Sequence, residues 1–312
     1  MTSDYCQIIR RNSRPLSPLP TGQSPRWAPL ASIEVVLFDI YGTLLISGSG
    51  ELGASDAAAG REALAAALQS AGVALRAPPE NVLAIWREEI ERRHQGARRA
   101  GIEAPEVDIV EVWREVLATS EARGWTDSAP GVDPAALAVE YEVRANPVWP
   151  MPDLLPTLAA LRAAGQTWGV ISNAQFFTLE IFPALVGRTL DDLGCAADLQ
   201  FYSYQHGQAK PGLALYHLAA AALQRRGIPA CRVLYVGNDI RNDIGPAARC
   251  GFRTALFAGD TRSLRRRADD PDCAGIVPDV IVKGLKDLVH CVRAEGPASP
   301  GKTSPAGRPD AG

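Results

Sequence analysis

Asp39 stands in the run Asp39-Ile40-Tyr41-Gly42-Thr43-Leu44, directly after the apolar stretch Val35-Val36-Leu37-Phe38. A β-branched and aromatic stretch bounded by glycine reads as an interior strand. Ligands of open α/β sheets bind beyond the carboxyl ends of such strands, so Asp39 is placed as a nucleophile would be. Three more polar clusters have a comparable setting. Ser172-Asn173 follows Trp168-Gly169-Val170-Ile171, Lys210-Pro211 precedes a helical stretch, and Gly237-Asn238-Asp239-Ile240-Arg241-Asn242-Asp243 follows Val233-Leu234-Tyr235-Val236.

The elements that must position these clusters show in the hydrophobic periodicity. From about Asp56 to Asn146 the pattern is helical: Ala58 to Ser70 is rich in Ala and Leu, Asn81 to Arg99 spaces Val82, Ile85, Trp86 and Ile90 helically, and Val107 to Ala122 repeats this with Val110, Val112, Trp113 and Leu117. From Pro152 strands and helices alternate, with strands expected at Trp168 to Ile171, Asp198 to Tyr202, Val233 to Val236, Thr254 to Phe257 and Val280 to Val282. Alternation of this kind means a parallel sheet covered on both faces. The expected fold is therefore α/β, a doubly wound parallel sheet begun before Asp39, interrupted by an all-helical cap, and resumed. The boundaries are a core of 33–50 and 150–293, a cap of 51–149, and tails of 1–32 and 294–312. Both tails are expected to be disordered, since residues 1–32 carry Pro15, Pro18, Pro20, Pro25 and Pro29 and the last nineteen are small, proline-rich and charged.

Composition narrows the function. The 312 residues exceed one ordinary domain of ~100 to 200, and 46% hydrophobic with 21% charged residues is a soluble globular mixture. A net charge of −3 gives no electrostatic case for nucleic acid or an anionic membrane. No run approaches the ~18 apolar residues of a membrane span, and no secretory signal is evident, so a cytoplasmic location is expected. The six cysteines are widely spaced with no C-x-x-C pair, which suggests neither zinc nor a disulfide framework. The expected partners are a small anionic substrate and, at most, a second copy of the chain in a homodimer.

The four clusters, in this order and at strand ends, resemble the four motifs of the haloacid dehalogenase (HAD) superfamily over roughly Ile33 to Phe257. The resemblance implies a Rossmann-like core and a hydrolase working through an aspartyl intermediate on Asp39. Lys210 would neutralise charge at the nucleophile, while Thr43, Ser172 and Asn173 would bind phosphoryl or carboxylate oxygens. Asp239 and Asp243, with Asp39 and the backbone carbonyl of Tyr41, would hold Mg²⁺, which prefers hard oxygen ligands. A second register puts Asn238 in the metal position, with Asp239 beside it; Asp239 is the expected ligand.

Tyr41 is where the pattern departs. Phosphatases of the family have a second aspartate there, and a phenol with an ordinary pKa near ~10 is a poor substitute as acid or base. A Mg²⁺-dependent phosphatase acting on a small phosphorylated metabolite is the first expectation. The D-x-Y-G-T-L form is also similar to L-2-haloacid dehalogenases, where halide leaves without a proton; Tyr216 fits that reading too. A catalytically idle phosphate- or protein-binding module is the third. Gly48, Ser49 and Gly50 look like the hinge into the cap.

Overall fold

The computed structural model describes residues 4–26, 29–50, 57–128 and 130–292. In chain order the elements are α1 (Asp4–Asn12), β1 (Val35–Phe38), β2 (Leu45–Ser47), α2 (Ala57–Ser70), α3 (Pro79–Arg99), α4 (Ile109–Ala122), α5 (Pro134–Ala145), β3 (Val148–Pro150), α6 (Leu154–Ala163), β4 (Thr167–Ser172), α7 (Thr178–Leu185), β5 (Cys195–Tyr202), α8 (Ser203–His206), α9 (Ala214–Arg225), β6 (Val233–Gly237), α10 (Gly245–Arg249), β7 (Arg253–Phe257), β8 (Val280–Val282) and α11 (Asp287–Val292). Six strands form one parallel sheet in the order β5-β4-β1-β6-β7-β8. The expected doubly wound sheet is thus observed, with β1 at its centre.

All four residues of β1 are fully buried. Strand alternation sends Val36 and Phe38 into the hydrophobic cluster on one face, and Val35 and Leu37 into the cluster on the other. Each such side chain contributes roughly 1.5–3 kcal/mol by leaving water, which fixes the register and hence where the chain emerges at Asp39. Phe38 lies opposite Val170 of β4 and Val236 of β6. The motif residues after β1, β4 and β6 therefore meet at one edge.

Helices α2 to α5 lie between β2 and β3, which pair antiparallel through Ile46 opposite Trp149. The expected helical insertion is observed, carried on this two-stranded ribbon at its base. Asp108 and Asp133 cap α4 and α5 by accepting backbone N–H bonds. Trp86, Trp113 and Tyr141 stack in the cap interior at centroid distances of 5.2 to 6.3 Å. The basic residues of α3 face acids on their own helix: Arg92 and Arg93 pair with Glu89, and Arg98 with Glu91.

For the described residues 4–26 and 29–32, the expected disorder of the N-terminal tail is corrected. Helix α1 buries Cys6, Ile8 and Ile9 and lies against α7 of the core and α5 of the cap. Arg10 donates to the carbonyls of Ala184 (Nε, 2.9 Å) and Pro183 (Nη2, 2.9 Å) at the end of α7, while Arg11 pairs with the buried Glu140 of α5. The proline-rich stretch beyond stays extended and is tied down by Thr21 Oγ1 to the Ala258 carbonyl (2.8 Å) and Arg26 N–H to the Ile281 carbonyl (2.9 Å) on β8. A few buried side chains and an available sheet edge outweigh the disorder-prone composition. The C-terminal tail expected from 294 lies outside the described residues. No helix among the described residues is long and apolar enough to cross a membrane.

Candidate active site

The turn after β1 is tight. Gly42 has φ +84°, and a Cβ there would lie 2.5 Å from Ser263 Cβ, so glycine is required both by conformation and by space. The turn leaves Asp39 6% exposed. Its Oδ1 accepts from Ser172 Oγ (2.9 Å) at the end of β4 and from Lys210 Nζ (2.7 Å). Its Oδ2 accepts no hydrogen bond from the described residues and faces the site.

Lys210 is the hub. Its buried ammonium donates to Asp39 Oδ1 and to Asp243 Oδ1 (2.6 Å), and sits 3.2 Å from Tyr235 Oη. Asn173 fixes the Lys210 backbone by donating from Nδ2 to its carbonyl (3.1 Å) and accepting its N–H at Oδ1 (2.7 Å). Burial alone would depress the ammonium's pKa, but Asp243 and Asp39 together hold it above the ordinary lysine value. Burial pushes Asp243 up to about 6, Lys210 pulling it down and Asp39 adding to the rise.

The final cluster contains a π-helical turn at Ile240–Ile244, which absorbs one extra residue between Gly237 and Asp243. Gly237 lets the Asp243 carboxylate lie on the backbone, where its Oδ2 accepts from the N–H groups of Asn238 and Asp239 at 3.0 Å each. Its Oδ1 takes Lys210 and the Tyr235 hydroxyl (3.0 Å). Asp239 points elsewhere. It caps the turn through the N–H groups of Arg241 and Asn242 and is gripped by Arg267, Nε to Oδ1 at 3.1 Å and Nη2 to Oδ2 at 2.6 Å. Asn238 Oδ1 accepts from Thr43 Oγ1 (3.1 Å), and its Nδ2 donates to the Ser263 carbonyl (2.7 Å).

These commitments bear on magnesium. Mg²⁺ needs near-octahedral hard oxygens, one or two of them carboxylates. Of the three acids, only Asp39 keeps an oxygen that accepts no hydrogen bond from the described residues. Among the described residues no three His, Cys, Asp or Glu side chains converge on a metal position. This arrangement does not suit the ion: Asp239 is an ion-pair partner of Arg267 and a helix cap, and Asp243 is the counter-ion of Lys210.

Tyr41 is not aimed at the nucleophile. Its hydroxyl bonds Thr178 Oγ1 on α7 at 2.8 Å, and burial raises its pKa far above the ordinary value, so the phenol stays protonated. Tyr216 Oη donates to the Asn242 carbonyl (2.8 Å) and props the final cluster from below. Tyr235 and Arg267 were missed from the sequence. A tyrosine in an interior strand needs a partner for its hydroxyl, a usable signal for the first; the second stands in the basic run Arg265-Arg266-Arg267, which reads as a solvated stretch until Asp239 is seen beside it.

Asp39, Tyr41, Asn173, Lys210, Asn238, Asp239, Asn242 and Asp243 line one small cavity of about 120 Å³, with Gly50 at its rim. Thr43 and Ser172 adjoin it, fully buried. A buried carboxylate beside a lysine at this edge of a parallel sheet agrees with the family match, which is to haloacid dehalogenase-like hydrolases over residues 33–251. The chain belongs to that family. Among solved structures, a 2-haloacid dehalogenase from Pseudomonas syringae is similar at 23% identity, with 82% of this chain and 96% of that one covered and a TM-score of 0.53. An L-2-haloacid dehalogenase from Xanthobacter autotrophicus (22% identity, 82% and 97% covered, TM-score 0.46) and a predicted phosphoglycolate phosphatase from Haemophilus somnus (15%, 83% and 98%, TM-score 0.46) are also similar. At these identities the likeness is one of fold. No curated protein matches the chain.

Proposed function

We propose that this HAD-family hydrolase displaces halide from the carbon of a small 2-haloacid without a metal, Asp39 being the nucleophile. The observation that carries the proposal is the commitment of Asp243 to Lys210 and of Asp239 to Arg267, which leaves Asp39 Oδ2 as the one uncommitted carboxylate oxygen in the cavity. In the first step Oδ2 attacks the halogen-bearing carbon, the new C–O bond forms as the C–halogen bond breaks, and halide leaves with the electron pair. Water then adds to the carboxyl carbon of the aspartyl ester, releasing the 2-hydroxy acid, regenerating Asp39 and delivering a proton to solvent. No proton donor is needed for the leaving group, which suits a site whose Tyr41 hydroxyl is engaged with Thr178. Lys210 holds Oδ1 and so aims Oδ2; Ser172 does the same from the other side. A cavity of about 120 Å³ is small beside the ~300–1,000 Å³ of ordinary ligand pockets, which favours a substrate of few heavy atoms.

A second reading keeps the same nucleophile with phosphorus as its target. Asp39 Oδ2 is a hard oxygen at the cavity wall, and the carboxylate expelled when an acyl phosphate is attacked at phosphorus also leaves without a proton. The deciding experiment measures halide from 2-chloropropionate and phosphate from acetyl phosphate, each with Mg²⁺ or EDTA, with Asp39→Asn as blank. Halide release that survives EDTA and vanishes in the variant is expected. Magnesium-dependent phosphate release without halide release would replace the proposal with the phosphatase reading.

A further inference from the structure

The acid next to the nucleophile is held by a segment outside every motif. After β7 the chain turns back over the carboxyl edge of the sheet, and the N–H of Arg265 donates to the Asn238 carbonyl while the N–H of Ile240 donates to the Arg265 carbonyl, both at 2.9 Å. That bridge fixes the segment two residues before Arg267, whose guanidinium meets Asp239 with two parallel hydrogen bonds. Asp239 is 5% exposed and Arg267 29%, so the pair is largely withdrawn from solvent. The same segment supplies the Ser263 carbonyl that holds Asn238, and packs Ser263 onto Gly42 of the nucleophile turn. Arg267 adopts φ +52°, a left-handed conformation unusual for a residue with a side chain. The loop accepts that conformation while presenting the guanidinium to the carboxylate.

Charge explains what this achieves. Three carboxylates, Asp39, Asp239 and Asp243, line a cavity too small to dilute their mutual repulsion. Lys210 reaches two of them and not the third. Arg267 reaches the third. A planar guanidinium satisfies both oxygens of a carboxylate at once and does not lose its proton.

We propose that Arg267 is the resident cation of this centre: its guanidinium takes the charge-balancing place beside Asp239 that a divalent ion would otherwise fill, and thereby makes the site independent of metal. The proposal rests on the metal-free reading of Asp39 and deepens it by naming the residue that removes the need. A divalent ion could use Asp239 only by displacing two charge-assisted hydrogen bonds. Removing the guanidinium should therefore create a cation site from Asp239 and Asp39.

The test is Mn²⁺ binding, followed by electron paramagnetic resonance of free Mn²⁺ and by calorimetry on the full chain. Arg267→Gly removes the cation and suits the positive φ; Arg267→Gln is the second variant should glycine loosen the loop. Either should bind one Mn²⁺ at least tenfold more tightly than the wild type, and the added Asp239→Asn should abolish that gain. Arg267→Lys should remain like the wild type. Equal affinity in wild type and variants would overturn the proposal. So would tight Mn²⁺ binding by the wild type that is lost in Asp239→Asn, a result that needs no Arg267 variant to fold. Halide release by the wild type in EDTA is scored separately, so failure of the nucleophile reading and failure of the Arg267 role give different patterns.

Discussion

Replacing Lys210 by Met keeps the aliphatic stem and removes the charge shared by two buried acids. Nζ lies 2.7 Å from Asp39 Oδ1 and 2.6 Å from Asp243 Oδ1, with all three side chains less than a tenth exposed. Oxygens that share one ammonium are about 5 Å apart or closer, and at an effective dielectric of ~20 that distance carries roughly 3 kcal/mol of repulsion, about two pKa units. Asp243 is already pushed up to about 6 with Lys210 in place, chiefly by burial. Without the ammonium, repulsion from Asp39 adds unopposed to the burial that already raises Asp243, so this acid keeps its proton to higher pH. A carboxyl whose folded pKa exceeds its unfolded value of ~3.9 binds more protons when folded, so stability falls as pH rises between the two values. The expected loss is therefore ~3–5 kcal/mol at pH 8, the usual cost of stripping a buried charge of its partner, and clearly smaller at pH 5.5. Urea unfolding of wild type and Lys210→Met at both pH values reads this directly. An equal loss at the two pH values, or one under ~1 kcal/mol at pH 8, would refute the assignment of Lys210 as counter-ion to both acids.

Tyr41→Phe should cost ~1 kcal/mol of stability for the lost bond to Thr178 and change turnover only a few-fold; a hundredfold loss would return the phenol to the chemistry. Ser172→Ala removes a hydrogen bond to a charged oxygen worth ~1.5–3 kcal/mol, so kcat/KM should fall roughly ten- to a hundredfold with the unfolding midpoint little moved. Gly42→Ala places a Cβ against Ser263 at φ +84° and should destabilise by ~1–3 kcal/mol, with activity falling alongside. Ile9→Ala, at a fully buried position of α1, should cost ~2–5 kcal/mol in a melting experiment, whereas a loose tail would register nothing.

Much of the architecture was readable because it depends on local signals. Val35 to Phe38 had to be an interior strand, and Val280 to Val282 matches β8 residue for residue. Helices α2, α3 and α4 followed from 3.6-residue spacing to within two residues of their observed ends. The sequence singles out Asp39, Ser172, Asn173 and Lys210 because strand ends converge in a parallel sheet, and the structure joins these four by hydrogen bonds. What escaped depended on distant partners. Asp239 looks like a metal ligand until Arg267, 28 residues onward, is seen to hold it. Asp243 looks like one until its four hydrogen bonds are traced. Composition also misled at residues 4–26, since prolines and arginines reveal nothing about the α5–α7 junction or the β8 edge that receives them.

That N-terminal segment also bears on the order of events during synthesis. Cys6 and Arg10 find their partners about 174 residues downstream, and Thr21 and Arg26 find theirs more than 230 residues on. The earliest part of the segment to leave the ribosome is thus among the last to settle, waiting until α5, α7 and β8 have all emerged. Contacts so remote in sequence slow the final closure of a fold. During that wait Ile8 and Ile9, buried in the finished fold, remain exposed on the nascent chain.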